Sequence, residues 1–432
     1  MEEFFKILDD LQRDKGVEIQ TSDHNAVKEY QRQALEQYRQ LPVPDSRSKS
    51  WQKLAIQDIN AVHFNLVKKP EVLRLTEKDN LEKVSGDHAT AGSIRISEKS
   101  CQYWLDAALL KLGVILCDLG AAIEKHPDLV QSVMGAKLGA GMDKMAALTA
   151  GMSRHGFFLY VPRRVRIEKP IEVHTYLEEN NSFLPMLGIV FLEAQASAPL
   201  ISRLDSSLTD SSMGVFSANM EIKVGESASL QFIEIQTLGK SIWNFASENI
   251  ILGDQALLER FLLDSGGKIT KRYFSVGLNR EGSQASVTGV YTSKEDQLFI
   301  YDTHQNHQAS NTKSDLLFRG VLNQMAYSLW KGNVYVAEGT HGADGYQVNN
   351  NLMLAESAQA ESIPGLEINS DDVRCSHAVT IGNIDPEQVF YLQSRGIDTE
   401  AAEKLIVGGF LQTASMRIKD HSIFEIVQAE LV

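Results

Sequence analysis

The sequence predicts a mainly β fold with helical ends: a β-helix (solenoid) core between an N-terminal helical region and a C-terminal helical hairpin. Three observations carry this. Runs of β-branched and aromatic residues, punctuated by Gly, Asn, Asp and Ser, fill the middle of the chain. A Gly-x-x-Ala unit recurs there ahead of strand-like segments. Paired helix start and stop signals return after Ile381.

Residues 1–155 read as mainly helical. Segments such as Glu29–Tyr38 and Gln102–Lys125 are rich in Ala, Leu, Gln, Glu and Lys, which lose little rotamer freedom in a helix. Leu41–Ser50 (LPVPDSRSKS) carries two prolines in a polar cluster and reads as a loop between helices. Asp143 caps a short helix, KMAALTAGM, that ends near Gly151.

Residues 156–381 read as the β-helix. FFLYVPRRVRI (157–167), ASLQFIEIQTL (228–238), ASVTGVYT (285–292) and LFIYDTH (298–304) are strands with turn residues between them. Gly225–Ala228, Gly253–Ala256, Gly282–Ala285 and, with Asn for Gly, Asn323–Ala326 each lead into such a strand; the alanines are 28, 29 and then 41 residues apart. A tight turn, a small residue that fits inside and then a strand is what a stacked coil requires, because no coil buries its apolar side alone. An ordinary β-sandwich is the competing architecture.

Residues 382–432 turn helical. Asp385-Pro386-Glu387 is an N-cap, a first-turn proline and an acid at the positive end of the helix dipole. Gly396 ends this helix, and Asp398 or Thr399 starts a second, giving an αα-hairpin.

The composition narrows the function. With 42 Lys and Arg against 56 Asp and Glu, the net charge of −14 disfavours nucleic acid and anionic membrane surfaces as partners. Three cysteines, Cys101, Cys117 and Cys375, do not make a disulfide framework and fit a reducing compartment. The acidic start MEEFFKILDD is neither a secretory signal nor an Arg-rich transit peptide. The most apolar stretch, Trp104–Leu119, is broken by Asp106, Lys111 and Asp118 and reads as a buried helix rather than a membrane span. A cytoplasmic protein is expected.

Few motifs carry chemistry. Ser265-Gly-Gly-Lys-Ile-Thr270 lacks the first glycine and the Ser/Thr of a phosphate-binding loop and reads as a turn, so no nucleotide hydrolysis by this chain itself is expected. His304-Gln-Asn-His307 is two ligands without companions and reads as a polar turn; His341 reads as structural. Cys101 and Cys117 read as small core hydrophobes of an apolar helix. Asp371-Asp-Val-Arg-Cys-Ser-His377 stands apart. On an extended strand Cys375 and His377 point to one face, and thiolate and imidazole both ligate iron. Two ligands are half a set for a cluster, so such a site is completed by another subunit. Arg374 lowers the thiol pKa in this reading, and Asp371 and Asp372 raise it. The same residues also fit a purely structural strand.

The stretch IPGLEINSDDVRCSHAVTIGNIDPEQVFYLQSRGIDTEAAEKLIVGGFL (363–411) resembles the C-terminal signature of the SufB/SufD family of iron–sulfur cluster assembly proteins. Asp143–Leu148, Gly156–Pro162, Glu168–Ile171 and Asp344–Leu352 (DGYQVNNNL) are similar to further blocks of it. The C-S-H form, and the absence of cysteine between Cys117 and Cys375, are most like the SufD branch; Ala378 departs from the family's usual glycine, and the first 140 residues match loosely. The resemblance implies a right-handed parallel β-helix and a non-enzymatic scaffold subunit. It implies pairing with a SufB-like subunit and docking of a SufC-like ABC ATPase, so that ATP enters only through that partner. His377, with Cys375 beside it, is then a ligand to a nascent iron–sulfur cluster, transient and shared across the subunit interface. Phe390, Tyr391, Leu392, Arg395, Gly396 and Ile397 form the ATPase-docking hairpin, whose movement on ATP-driven dimerisation opens the interface. The alternatives are a SufB-like homodimeric scaffold and, on the same architecture, a β-helix carbohydrate-active enzyme.

Overall fold

The corner between strands dictates how the coils stack. In the computed structural model, which describes residues 5–9, 25–44, 47–54, 64–75, 90–134, 143–208, 213–293, 295–419 and 424–427, six corners share one pattern. A residue in the left-handed region (Gln195, Ser227, Gln255, Gly282, Asn311, Gly342; φ 52° to 69°) precedes a small one (Ala196, Ala228, Ala256, Ser283, Thr312, Ala343) that is at most 1% exposed. The left-handed turn aims a backbone N–H along the stack. Each donates to a carbonyl in the corner of the next coil, those of Glu226, Asp254, Glu281, Ser310, His341 and Asp372 in order, at 2.7–3.3 Å.

The expected Gly-x-x-Ala unit matches this pattern at Gly225–Ala228 and Gly253–Ala256. Ala285 does not belong to it: Ala285 pairs with Leu258, so Ser283 is the corner residue there. Asn323–Ala326 is a corner of the opposite kind, returning from the second sheet to the first. The true repeat is a left-handed residue followed by a small one, and residue types other than Gly and Ala satisfy it.

Two sheets face each other across the core. The first runs in the order β20 (Gln359–Ile368), β18 (Tyr327–Val336), β16 (Leu298–His307), β14 (Ile269–Leu278), β12 (Ile242–Leu252), β10 (Gly214–Val224), β8 (Ser182–Leu192), β6 (His155–Val161), β5 (Ile115–Asp118), with β1 (Asn65–Leu66) also on β8. The second runs β21 (Val373–Asn383), β19 (Ala343–Met353), β17 (Lys313–Leu322), β15 (Gln284–Thr292), β13 (Leu257–Asp264), β11 (Ser229–Gln236), β9 (Ser197–Ser206), β7 (Ile171–Leu177), β3 (Gly92–Ser97), β4 (Ser100–Leu105), β2 (Glu71–Arg74). From β6 and β7 onward every pairing is parallel, so the chain alternates between sheets as a parallel β-solenoid with helices toward both ends.

The N-terminal end of the stack is closed by antiparallel pairs, β3 with β4 and β5 with β6. This corrects the helix expected over Gln102–Lys125 and the buried helix over Trp104–Leu119. The segment is β4, a five-residue helix α3 (Ala107–Lys111) capped by Asp106 and ended at Gly113 (φ 85°), β5, and α4 (Leu119–Lys125) capped by Asp118. Good local helix propensity yields to pairing with β3 and β6, since propensity is the weaker effect. Cys101 and Cys117 are buried as expected, but on strands β4 and β5.

Helices pack on the outer faces. Tyr38 and Leu35 of α1 (Asn25–Gln40), Trp51 of α2 (Lys49–Gln52) and Met145 and Leu148 of α5 (Lys144–Met152), capped as expected by Asp143, cover Phe183, Trp243, Phe245 and Ile300 of the first sheet. Buried Lys144 ties this layer together, donating to the carbonyls of Tyr38 and Leu41 at 2.7 and 2.8 Å. The expected C-terminal hairpin is α6 (Pro386–Gln393) and α7 (Thr399–Ser415), capped by Asp385 and Asp398 and separated at Gly396 (φ 87°). Leu411 and Ala414 of α7 pack with Ile233, Phe261 and Val290 on the outer face of the second sheet.

Between the sheets lies a buried ionic cluster. Arg260 donates from Nε to Glu248 (2.9 Å) and from Nη2 to Glu234 (3.0 Å), with its guanidinium 4.0 Å over the Phe232 ring. Arg272 grips Asp264 with two hydrogen bonds (2.8 and 2.6 Å) and reaches Glu234 at 2.6 Å; Tyr301 donates to Asp264 at 2.9 Å. The carboxylates hold both guanidinium groups charged against the penalty of burial, and the pKa of Arg272 is raised. Removing one partner strands the others. Arg272→Met is therefore expected to lower unfolding stability by about 3–5 kcal/mol, read from urea denaturation; a change below about 1 kcal/mol contradicts the assigned role.

Candidate functional site

Each inner side chain of the solenoid is covered by the coil above and the coil below, except in the last coil. β20 ends the first sheet and β21 ends the second, so each has one edge without a strand partner among the described residues. No residue of β20 or β21 is fully buried. Leu366 and Ile368 of β20 and Val379 and Ile381 of β21 stand 36–41% exposed, whereas inner residues of β18 such as Trp330, Val334 and Val336 are buried completely. An apolar layer and two strand edges open to water are a docking surface in physical terms.

Cys375 and His377 are on β21 at this open end, beside Gly345 and Gln347 of β19. Two-residue spacing on a strand gives them one face. His377 is exposed, and Cys375 is half-buried against Val334, Val336, Ala343 and Val373. The Cys375 sulfur occupies space that only a glycine at 345 leaves free. A Cβ there would lie 2.8 Å from Val334 Cγ1, 3.2 Å from His307 Nε2 and 3.3 Å from Cys375 Sγ. Burial pushes the Cys375 thiol above its ordinary pKa, the Gly345 backbone pulls it down by hydrogen bonding, and Asp344 pushes it up again. The acidic neighbour that acts on the thiol is thus Asp344 from the adjacent strand, not Asp371 or Asp372, and Arg374 has no part in the shift. Sequence spacing hid Asp344 because it lies 31 residues away and arrives through the register.

His304 and His307 are within strand β16, not in a turn. They point to opposite faces. His304 Nε2 meets Asp302 at 3.0 Å on the outside. His307 is fully buried, with Nδ1 2.8 Å from Thr312 Oγ1 and Nε2 2.8 Å from Ser314 Oγ. Thr312 donates its hydroxyl proton to the Ala309 carbonyl, so it accepts from Nδ1–H, and Ser314 donates to Nε2. Their partners are side chains rather than the backbone. Exposed His341 lies 4.0 Å from Asp372 at the rim. The Ser265–Thr270 string is the turn into β14, with Lys268 paired to Asp296. Among the described residues no three His, Cys, Asp or Glu side chains converge as a metal site. Cys375 and His377 thus have no third such side chain converging with them among the described residues.

The hairpin residues are elsewhere, on the side of the second sheet. Phe390 and Tyr391 are 71% and 58% exposed, and α6 buries no residue. Leu392 and Ile397 are half-buried. Arg395 lies 5.3 Å from the centre of the Tyr391 ring, and Gly396 takes the left-handed turn. Among the described residues no helix is long and apolar enough to cross a membrane.

Two outcomes follow from this geometry. At pH 8, iodoacetamide is expected to modify Cys375 and spare Cys101 and Cys117, whose thiols burial pushes up, Cys117 to about 12; peptide mapping showing equal labelling of all three contradicts the fold at these positions. Burial lowers the His307 pKa from 6.5 to about 4. The unfolded chain takes up that proton near pH 6.5 and the folded chain only near 4. Stability is thus intact above 6.5 and falls as the pH drops toward 4, by up to about 1.4 kcal/mol per pH unit. His307→Asn should flatten that limb in denaturation series at pH 4.5 to 7; an unchanged slope rules His307 out as its source.

Comparison with known proteins agrees with the fold and the motifs. Residues 176–410 match the family model described as "SUF system FeS cluster assembly, SufBD core domain", and residues 4–173 match the "SufBD protein N-terminal region". The chain is 29% identical over 312 residues to the iron–sulfur cluster assembly protein SufD of Bacillus subtilis, covering 71% of this chain and 70% of that protein. It is 22% identical over 342 residues to SufBD family proteins of Staphylococcus epidermidis and Staphylococcus aureus, covering 79% of this chain and 73% of theirs. With both family models together spanning nearly the whole length, this chain belongs to the SufBD family of iron–sulfur cluster assembly proteins.

Proposed function

We propose that this chain is a scaffold subunit of a SUF-type iron–sulfur cluster assembly complex. Through the open end of the solenoid it pairs with a SufB-like subunit, and through the α6–α7 hairpin it docks a SufC-like ABC ATPase. It hydrolyses no nucleotide itself, and ATP acts only through that partner. The nascent cluster is cargo, held transiently at the subunit interface.

One observation carries the reading. The last coil exposes a thiol and an imidazole together with the apolar layer and strand edges that another chain must cover. A cluster normally takes four protein ligands, so Cys375 and His377 supply half and the partner supplies the rest. Thiolate and neutral imidazole are both suited to iron. The exposed aromatic residues of α6 support the docking role, because Phe390 and Tyr391 are large rings that gain by being covered, and Tyr391 adds a polar hydroxyl.

Co-expression with SufB- and SufC-like chains and affinity capture on this chain tests the proposal. Both partners should co-elute. Ile381→Asp, at an exposed position, should abolish capture of the SufB-like chain and leave the circular dichroism unchanged. His377→Ala should lower cluster assembly by tenfold or more while the complex still forms. Normal assembly with His377→Ala sinks the ligand role. A stable dimer of this chain alone that reconstitutes stoichiometric iron and sulfide anaerobically would favour the SufB-like homodimer instead.

A further inference from the structure

Helix α7 contains two consecutive glycines, Gly408 and Gly409. Nothing in the packing demands them. Neither has a positive φ, and a Cβ at either position would meet no atom within 4 Å. They are therefore neither turn glycines nor close-approach glycines. Their remaining physical effect is to weaken the helix. Each interior glycine shifts the local folding equilibrium by roughly fivefold relative to alanine. Thr413 adds to this by donating its hydroxyl to the Gly409 carbonyl at 3.4 Å, a back-bond of the kind that bends helices.

Their place in the helix gives this weakness a consequence. On the C-terminal side α7 is clamped to the solenoid. Arg319 of β17 donates to the Phe410 carbonyl and stacks its guanidinium 4.7 Å from the centre of the Phe410 ring. Leu411 and Ala414 are buried in the outer core. On the N-terminal side, Thr399, Glu400, Lys404 and Leu405 are exposed, of residues 399–409 only Ala402 is fully buried, and the outer core is touched there through the partly buried Val407. The glycine pair thus sits at the boundary between a lightly held half, which touches the outer core through Val407, and a fastened half.

We propose that Gly408–Gly409 is a hinge about which α6 and the first half of α7 move as one unit, while residues 410–415 stay clamped by Arg319. The functional meaning rests on the reading that this hairpin carries an ATPase. A joint at this point lets the hairpin take different angles on a moving partner without prying α7 off the second sheet.

Hydrogen exchange on the full chain alone tests the joint. In the parent protein, amides of residues 399–409 should exchange at least tenfold faster than those of 411–415. In the double variant Gly408→Ala/Gly409→Ala, exchange over 399–409 should slow by roughly 25-fold, the product of two fivefold effects, with 411–415 little changed. Equal rates in the two halves of the parent, or no slowing in the variant, overturns the hinge. Capture of the SufC-like chain separates this result from the underlying reading. The variant leaves Phe390, Tyr391, Leu392, Arg395 and Ile397 as they are, so it should bind the ATPase as the parent does while cluster assembly in the complex falls several-fold. Slowed exchange with an undiminished assembly rate overturns the hinge's role. A parent chain that binds no ATPase overturns the docking reading and leaves the exchange result standing.

Discussion

A coil in a stacked solenoid is complete only when another coil lies on it. The next coil supplies the hydrogen-bond partners of its strand edges and the apolar cover of its inner side chains. This protein meets the requirement along its whole length and then stops meeting it. At the N-terminal end antiparallel strands close the stack. At the C-terminal end, among the described residues, no strand pairs with the outer edges of β20 and β21, and none of their inner residues is fully buried. The asymmetry is built into the chain: Leu366, Ile368, Val379 and Ile381 are apolar residues on the inner faces of the last two strands, and all four are exposed in one copy.

The register of the stack decides what surrounds the thiol at this open end. Parallel pairing in step puts Gly345 beside Cys375, and the missing Cβ at 345 leaves the space the sulfur fills. Thiol, buried His307 and the Asp344 charge that acts on both come from three different strands and are brought near one another because the corners hold each coil in line. Those corners are held by the ladder of left-handed residues donating from coil to coil. Deeper inside, the Arg260–Arg272 cluster joins the two sheets and tolerates no register slip, since each guanidinium needs carboxylates from neighbouring strands.

Much of this was legible in the sequence, and the rest was hidden for identifiable reasons. Asp143, Asp385, Asp398 and Gly396 act where capping chemistry places them, because caps are local. The β-solenoid was legible from strands and two of the corner repeats. The full repeat was not, because the corner selects a conformation that Gln195, Ser227, Gln255 and Asn311 adopt as well as glycine. The Gln102–Lys125 segment was misread as a helix because its fate depends on pairing, with β3 just before it in a hairpin and with β6 farther along the chain. His304 and His307 were misread as a turn because polar residues on a strand whose inner face is itself polar do not show a hydrophobic alternation. The spacing of Cys375 and His377 was visible; that they lie on an uncovered coil was not, since exposure of the last coil is a property of the stack.

An incomplete ligand set has a consequence that a complete one does not. On the proposed reading, a single copy offers iron one thiol, held mostly protonated by burial and by Asp344, and one exposed imidazole. Neither burial nor acid favours the thiolate, so the isolated chain is a poor trap for stray metal. Covering the open end changes all three conditions together. The apolar layer is buried, the strand edges pair, and the missing ligands arrive with the partner. Because the same surface supplies the association energy and the half-site, metal binding and subunit pairing become one linked equilibrium. A scaffold built this way confines cluster construction to the assembled complex through the geometry of its last coil.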